Sequence, residues 1–326
     1  MPLLPPTYRA VVYERYGPVE DIVRIKNVPL EPLLATDVRI QVKCAALNPI
    51  DHMVAETIGE TYTGGSPSAE KPYRIGWDVS GVVVELGSEV VGQLNVGDEV
   101  YAMTPPTRVG TLAEFVAVDA QLVAPKPKTL DFTGAAAAAL VSLTSYQGIF
   151  DVVKLQKGER ILVLGGSTSV GIVAIQLAKM LGAYVIATAS TKKLAFVQSI
   201  GADEVIDYTT TKWIDAVEPH SLDVFYDCGI EPTSWESGAQ LVLKKQGSRF
   251  ATLHPFLEAS AAKFGATRLD VWCVPSSKQL AEIAALIDSG KIKVIVDSTF
   301  PFEKTADAFV HLKKGSVIGK VVVKVQ

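Results

Sequence analysis

Cysteine is scarce in this chain: Cys44, Cys228 and Cys273 are the only three in 326 residues, and they lie far apart. An odd, dispersed set argues against a disulfide framework and suits reduced thiols, so residence in the cytoplasm is expected. There is no Cys-x-x-Cys, and the histidines (His52, His220, His254, His311) never fall at paired ligand spacing. No metal site is therefore expected. Positive charge is not in excess either. Lys plus Arg number 31 against 35 Asp plus Glu, a formal net charge of −4, which gives no basic field to recruit nucleic acid. No apolar run reaches the roughly 18 residues of a membrane span. The opening Met1-Pro2-Leu3-Leu4-Pro5-Pro6 has neither a basic leader nor a long apolar core, so no secretory signal is expected.

What the chain does hold is enough apolar material, 48% of its residues, for sizeable cores, and its length favours two domains. From Tyr8 to about Lys128, short strand-like runs alternate with Gly and Pro; Val38, Ile40 and Val42 alternate with polar neighbours, as in a half-buried strand. This half reads as a small antiparallel barrel. Near Leu130 the composition changes to Gly134 and five alanines, a helix former suited to close packing. Strands and helices then alternate: strand 161–164, helix 170–181, strand 184–188, helix 192–200, and strands at 204–206, 223–226 and 248–253. That rhythm predicts an α/β fold with a doubly wound parallel sheet over residues 129–290. The first domain, 1–128, is expected to be completed by residues 291–326, with a strand at 293–296 and another at 319–325.

The stretch Ile161-Leu162-Val163-Leu164-Gly165-Gly166-Ser167-Thr168-Ser169-Val170-Gly171 organises the second half. It reads as a buried strand, a tight glycine turn and a helix start, where backbone N–H groups and the helix dipole favour a phosphate. Gly166, Thr168 and Gly171 form a degraded G-x-G-x-x-G with Thr168 in place of the middle glycine; on the motif alone, a plain turn that binds nothing is the alternative. An acid on the following strand selects NAD by holding the ribose 2′-hydroxyl. This chain has no acid from Arg160 through Ala202 and offers Ser190-Thr191-Lys192-Lys193 instead. Hydroxyls and an ammonium suit a 2′-phosphate, so NADPH is the expected cofactor.

Several stretches, in this order and spacing, resemble the medium-chain dehydrogenase/reductase superfamily in its zinc-free quinone oxidoreductase and enoyl reductase branch. They are Ala46-Leu47-Asn48-Pro49-Ile50-Asp51, Gly76-Trp77-Asp78-Val79-Ser80-Gly81, Val96-Gly97-Asp98-Glu99-Val100-Tyr101, Gly201-Ala202-Asp203-Glu204-Val205-Ile206-Asp207-Tyr208 and Gly315-Ser316-Val317-Ile318-Gly319-Lys320. The resemblance covers nearly the whole chain and implies a GroES-like barrel domain with a Rossmann domain. It places Ser190, Lys193 and Tyr208 around the 2′-phosphate, Gly166 and Ser167 to Val170 at the pyrophosphate, and Thr144 near the nicotinamide. It also implies a homodimer through an edge strand of the Rossmann sheet. Where zinc-dependent members carry a ligand histidine and a ligand cysteine, this chain has Trp77 and Asn48. Relatives show glycines where Thr168 and Ser169 stand, and these hydroxyls are expected to donate to phosphate oxygens.

Without a Lewis acid, the remaining acceptors are already electrophilic: quinones, or alkenes conjugated to a carbonyl. Asn48 is the first candidate for positioning the acceptor oxygen, with a simple turn starter as its alternative. Tyr62, in a Gly-rich loop, resembles in rough position a tyrosine that some enoyl reductases place by the substrate, which makes it a candidate proton donor, with a plain amphipathic loop residue as its alternative. Cys228 and Leu253 follow strand ends and are expected to line the cofactor with backbone. His254 is either pocket lining or a surface residue, and Trp77 is read as packing between domains. The expected function is an NADPH:quinone or enone reductase. The alternatives are an enoyl-thioester reductase and, in another class, a noncatalytic NADPH-binding protein that senses redox state or binds RNA or another partner. Substrate identity rests on loops at 56–71 and 256–268, whose residues carry no decisive chemical bias.

Overall fold

A computed structural model describes residues 4–105, 110–254, 258 and 260–326; residues 256, 257 and 259 of the expected pocket loop lie outside them. The chain divides into two compact units. The first comprises Met1–Leu140, Pro275–Asp288 and Ile295–Gln326, and the second Val141–Val274 with Ser289–Val294.

The first unit contains β1 (Thr7–Tyr13), β2 (Arg24–Pro29), β3 (Asp37–Ala46), β4 (Tyr73–Arg74), β5 (Asp78–Leu86), β6 (Glu99–Met103), β7 (Phe115–Asp119) and β8 (Val123–Pro125). The second contains β9 (Arg160–Leu164), β10 (Tyr184–Ala189), β11 (Glu204–Asp207), β12 (Val224–Asp227), β13 (Gln246–Thr252) and β14 (Gly265–Asp270). The chain then returns to the first unit with β15 (Val296–Pro301) and β16 (Lys320–Lys324).

In the first unit β2-β1-β4 form a three-stranded sheet, and β15-β16-β3-β5-β6-β8 a larger one, with β7 also paired to β3. The alternation at Val38, Ile40 and Val42 buries all three in one core with Val79, Val100, Val116, Val321 and Val323. Asn48 and Pro49 open a helix, Pro49–Glu56, that the sequence reading did not place there. Helix Ser277–Asp288 belongs to this unit, not to the second. The Tyr101 hydroxyl donates to the Leu280 carbonyl at 2.6 Å, and Asp288 accepts the N–H groups of Lys128 and Thr129 at 3.1 and 2.9 Å. The division falls inside helix Phe132–Tyr146, so the alanine run closes the first unit rather than opening the second.

The second unit is one parallel sheet in the order β11-β10-β9-β12-β13-β14. Counted from β9, that is the doubly wound dinucleotide order 3-2-1-4-5-6. β9 is central because Ile161 to Leu164 are apolar on both faces and fully covered. The strand expected at 293–296 instead runs Val296–Pro301, parallel to β16 with a register shift near Val296.

Candidate active site

In the second unit β9 ends in Gly165 at φ +94°, a backbone that side-chain-bearing residues rarely adopt. Thr188 on β10 holds the turn, its hydroxyl accepting the Gly165 N–H and its carbonyl the Gly166 N–H, both at 2.9 Å. Helix Ser169–Met180 begins so close that a Cβ on Gly171 would lie 2.2 Å from the Gly165 carbonyl oxygen. The turn therefore needs glycine for close backbone approach, and the helix start offers its positive end to an anion.

Thr168 corrects one expectation. Its hydroxyl donates to the Gly165 carbonyl (2.8 Å) and accepts the Gly171 N–H (3.0 Å), while its own N–H donates to Gly165. The hydroxyl proton is committed to the turn, so Thr168 is the helix N-cap and not a phosphate donor. Ser167, Ser169 and Val170 are half-buried at the turn, and the Val170 carbonyl accepts from the Ser145 hydroxyl at 2.8 Å.

At the end of β10, Ser190 opens the short turn Thr191–Lys193, with the Lys193 N–H donating to the Ser190 carbonyl. Tyr208 follows β11, is 58% exposed, and donates its N–H to the Ala189 carbonyl. The bond from the Tyr208 N–H to Ala189 sets the turn after β11 beside the turn that carries Ser190 and Lys193. The ends of β9, β12 and β13 are likewise aligned. The Cys228 N–H donates to Leu164 at 3.1 Å, and the Leu253 N–H to Asp227 at 3.2 Å. Burial pushes the Cys228 thiol well up, keeping it protonated. Buried Asp227 anchors the Cys228-Gly229-Ile230 loop by accepting the Ile230 N–H and the Ser234 hydroxyl, a role that sequence reasoning missed. The His254 Nε2 is buried without a partner among the described residues and lies 3.9 Å from where a Cβ on Gly229 would stand. Thr144 is buried, and its carbonyl accepts from the Tyr226 hydroxyl at 3.4 Å.

In the first unit Asn48 is 1% exposed. Its amide nitrogen donates to Asp78 at 2.9 Å and to the Ala46 carbonyl at 3.5 Å, and its oxygen accepts from Lys320. No amide hydrogen remains for an acceptor oxygen, so Asn48 is part of the scaffold and not a substrate donor. Asp78 is the hub: it also accepts from Lys320 Nζ at 3.0 Å and from the Leu140 N–H at 2.6 Å. Both Asp78 and Lys320 are buried. The sequence showed them only as family markers. Asp51 accepts the Asn48 N–H at 2.7 Å, and its other oxygen is buried without a partner among the described residues.

Tyr62 lies in a short helix, Gly59–Thr63, and its ring stacks on Trp77 with centroids 5.7 Å apart. Trp77 is buried and hydrogen-bonds Tyr73, whose hydroxyl is pushed up to about 12 by burial. These neighbours, both in the first unit, pack Trp77 within that unit.

A dinucleotide-binding sheet followed and preceded by a mostly antiparallel unit defines a two-part pyridine-nucleotide oxidoreductase. Residues 35–128 match the family model described as alcohol dehydrogenase GroES-like domain, and residues 200–323 the model described as zinc-binding dehydrogenase. The chain is 37% identical to a 2-methylene-furan-3-one reductase of Solanum lycopersicum, covering 98% of this chain and 80% of that one. It is 36% identical to a chloroplastic NADPH-dependent alkenal/one oxidoreductase of Arabidopsis thaliana, with the same shares. Its fold matches a quinone oxidoreductase of Coxiella burnetii at a TM-score of 0.86 and 24% identity, covering 98% of this chain and all of that one. The chain belongs to the medium-chain dehydrogenase/reductase superfamily, in its quinone oxidoreductase and enoyl reductase branch, a group of NAD(P)H-dependent oxidoreductases.

The zinc in the second model's description does not fit these residues. Trp77 has no metal-binding atom, the Asn48 amide is fully engaged, and no three His, Cys, Asp or Glu side chains gather as a metal ligand set among the described residues. No helix is long and apolar enough to cross a membrane among the described residues.

Proposed function

We propose that this chain is an NADPH-dependent reductase that gives hydride to an α,β-unsaturated carbonyl or a quinone without a metal ion. The observation that carries the reading is the pair of adjoining turns that carry Ser190, Lys193 and Tyr208, with no acid on the β10 strand that would face the ribose. Bound there, NADPH would supply the hydride. The Gly165–Gly171 turn and the start of helix Ser169–Met180 would hold its pyrophosphate, and the backbone at Cys228 and Leu253 would line it. The names of the tomato and Arabidopsis relatives favour an alkene conjugated to a carbonyl. Such an acceptor is electrophilic enough to dispense with a Lewis acid, and the Tyr62 phenol is the group proposed to return a proton to the reduced product. The edge of β14 that pairs with no described strand is the proposed seam of a homodimer. Three dispersed cysteines suit a reducing compartment such as the cytoplasm.

An NADPH-oxidation screen across short alkenals, enones, 1,4-benzoquinone, naphthoquinones and enoyl thioesters tests this reading. Turnover is expected with enones and quinones, and Tyr62→Phe should lower kcat on enones by tenfold or more with little change in the KM for NADPH. A strict requirement for the thioester arm would contradict the proposal in favour of an enoyl-thioester reductase. NADPH binding with no turnover on any acceptor would contradict it in favour of a noncatalytic protein.

A further inference from the structure

Ser190 and Lys193 stand on one turn and Tyr208 on another, and the parallel pairing between their strands stops at Ala189 opposite Asp207. Both turns project beyond the sheet, so a binding edge made from them needs something to fix one against the other. Asp207 is the residue that does so. Its Oδ2 accepts the Thr191 hydroxyl at 2.6 Å, and its Oδ1 accepts both the hydroxyl and the N–H of Thr209 at 2.6 and 3.0 Å. The two threonine hydroxyls are themselves 2.9 Å apart. The Asp207 carbonyl accepts the N–H groups of Thr210 and Thr211 at 3.2 and 2.9 Å, which closes the second turn.

We infer that Asp207 is a positioning residue for cofactor selection, latching the Thr191–Lys193 turn to the Tyr208–Thr211 turn so that Ser190, Lys193 and Tyr208 present one preformed edge to the 2′-phosphate. The inference rests on the NADPH reading above and deepens it. A carboxylate beside a phosphate site is at first sight the wrong charge, and it is the kind of group that selects NAD when it holds the ribose hydroxyls. Here its oxygens are taken by three donors from Thr191 and Thr209. Those hydrogen bonds, from Thr191 first and then Thr209, hold the carboxyl below its ordinary range, so it remains ionised at neutral pH. Its position at the surface, in the high dielectric of water, weakens its repulsion of a phosphate. Ordering two turns before the cofactor arrives removes that ordering cost from binding, and the gain is confined to the cofactor that carries the 2′-phosphate.

The test is steady-state kinetics of the full chain with NADPH and with NADH, using one enone acceptor. Asp207→Ala is expected to raise the KM for NADPH about five- to tenfold while kcat and the KM for NADH move by less than twofold. Asp207→Asn keeps an acceptor for the threonines and should recover most of the loss. Thr191→Val, an exposed change that removes one hydrogen bond, should raise the KM for NADPH about threefold. Tighter NADPH binding in both Asp207 variants would overturn the inference, because the carboxylate would then act through repulsion. A raised KM for NADH in Asp207→Ala would overturn it by making Asp207 a ribose ligand. If wild type favours NADPH and all three variants keep wild-type constants, the latch alone fails; a wild type that does not favour NADPH overturns the reading beneath it.

Discussion

Asp78, Lys320 and Asp51 place three ionisable side chains where water does not reach, and burial makes each depend on its partners. Asp78 accepts from Lys320, Asn48 and the Leu140 N–H. Removing Lys320 leaves a buried carboxylate without its countercharge, a change that typically costs about 3–5 kcal/mol. Lys320→Met is expected to lower stability by that order, read from the urea midpoint. Asp51 acts differently. Burial raises its carboxyl to about 7 from an ordinary 3.8; the nearby Asp78 charge adds to the rise, while the Asn48 N–H and Lys320 oppose it, and Tyr13 and Tyr73 face it from β1 and β4. The folded state therefore binds a proton that the unfolded chain has already lost between about pH 4 and pH 7, and in that window this group's contribution falls as pH rises. Asp51→Asn keeps an acceptor for the Asn48 N–H and removes the titration. Its stability relative to wild type should improve from about pH 4 to about pH 7 and then level off, measured by urea unfolding across pH.

At the scale of elements, the glycine turn and helix start work as one device. The close approach of Gly171 to the Gly165 carbonyl leaves no room for a methyl group. Gly171→Ala must displace the turn or the helix, at a cost of about 1–3 kcal/mol, and should weaken NADPH and NADH binding by the same factor in titration calorimetry. Thr168→Ala removes the N-cap, costing about 1 kcal/mol in thermal unfolding, and should likewise leave the ratio of the two affinities unchanged. The cap was legible: a threonine just before an apolar helix is an N-cap signature. Comparison with a glycine motif drew it toward the phosphate instead. Asn48-Pro49-Ile50-Asp51 carried a similar signal, an N-cap, a proline at the first helical position and an acid three residues on, yet Asn48 was read as positioning an acceptor oxygen, with a turn starter as the alternative.

For the whole molecule, the alternation of apolar strands and helices was enough to anticipate the parallel sheet, because each β9-to-β13 segment carries its own period. Long-range partners were not legible. β2 is exposed at every position except Val28, so it has no alternation to betray it and forms only because β1 pairs with it along its length. β15 is placed by its parallel pairing with β16, and helix Ser277–Asp288 joins the first unit through bonds to Tyr101, Lys128 and Thr129. The same limit hid the site's scaffold. Asn48, Asp78 and Lys320 meet across separations of 30 and 242 residues or more, which no local pattern records. Ser190, Lys193 and Tyr208 were singled out from the missing acid and the family resemblance together, while Asp207 stood just beyond the stretch whose lack of acids was noticed.

The central claim is that this chain uses NADPH, selected through its 2′-phosphate, to reduce an activated acceptor without a metal. The most direct measurement is kcat/KM for NADPH and for NADH with one enone acceptor, after exhaustive chelation. Turnover that survives chelation, with NADPH favoured by tenfold or more, is the predicted result. Activity that vanishes on chelation and returns with Zn²⁺, or an equal or greater kcat/KM for NADH, would contradict it.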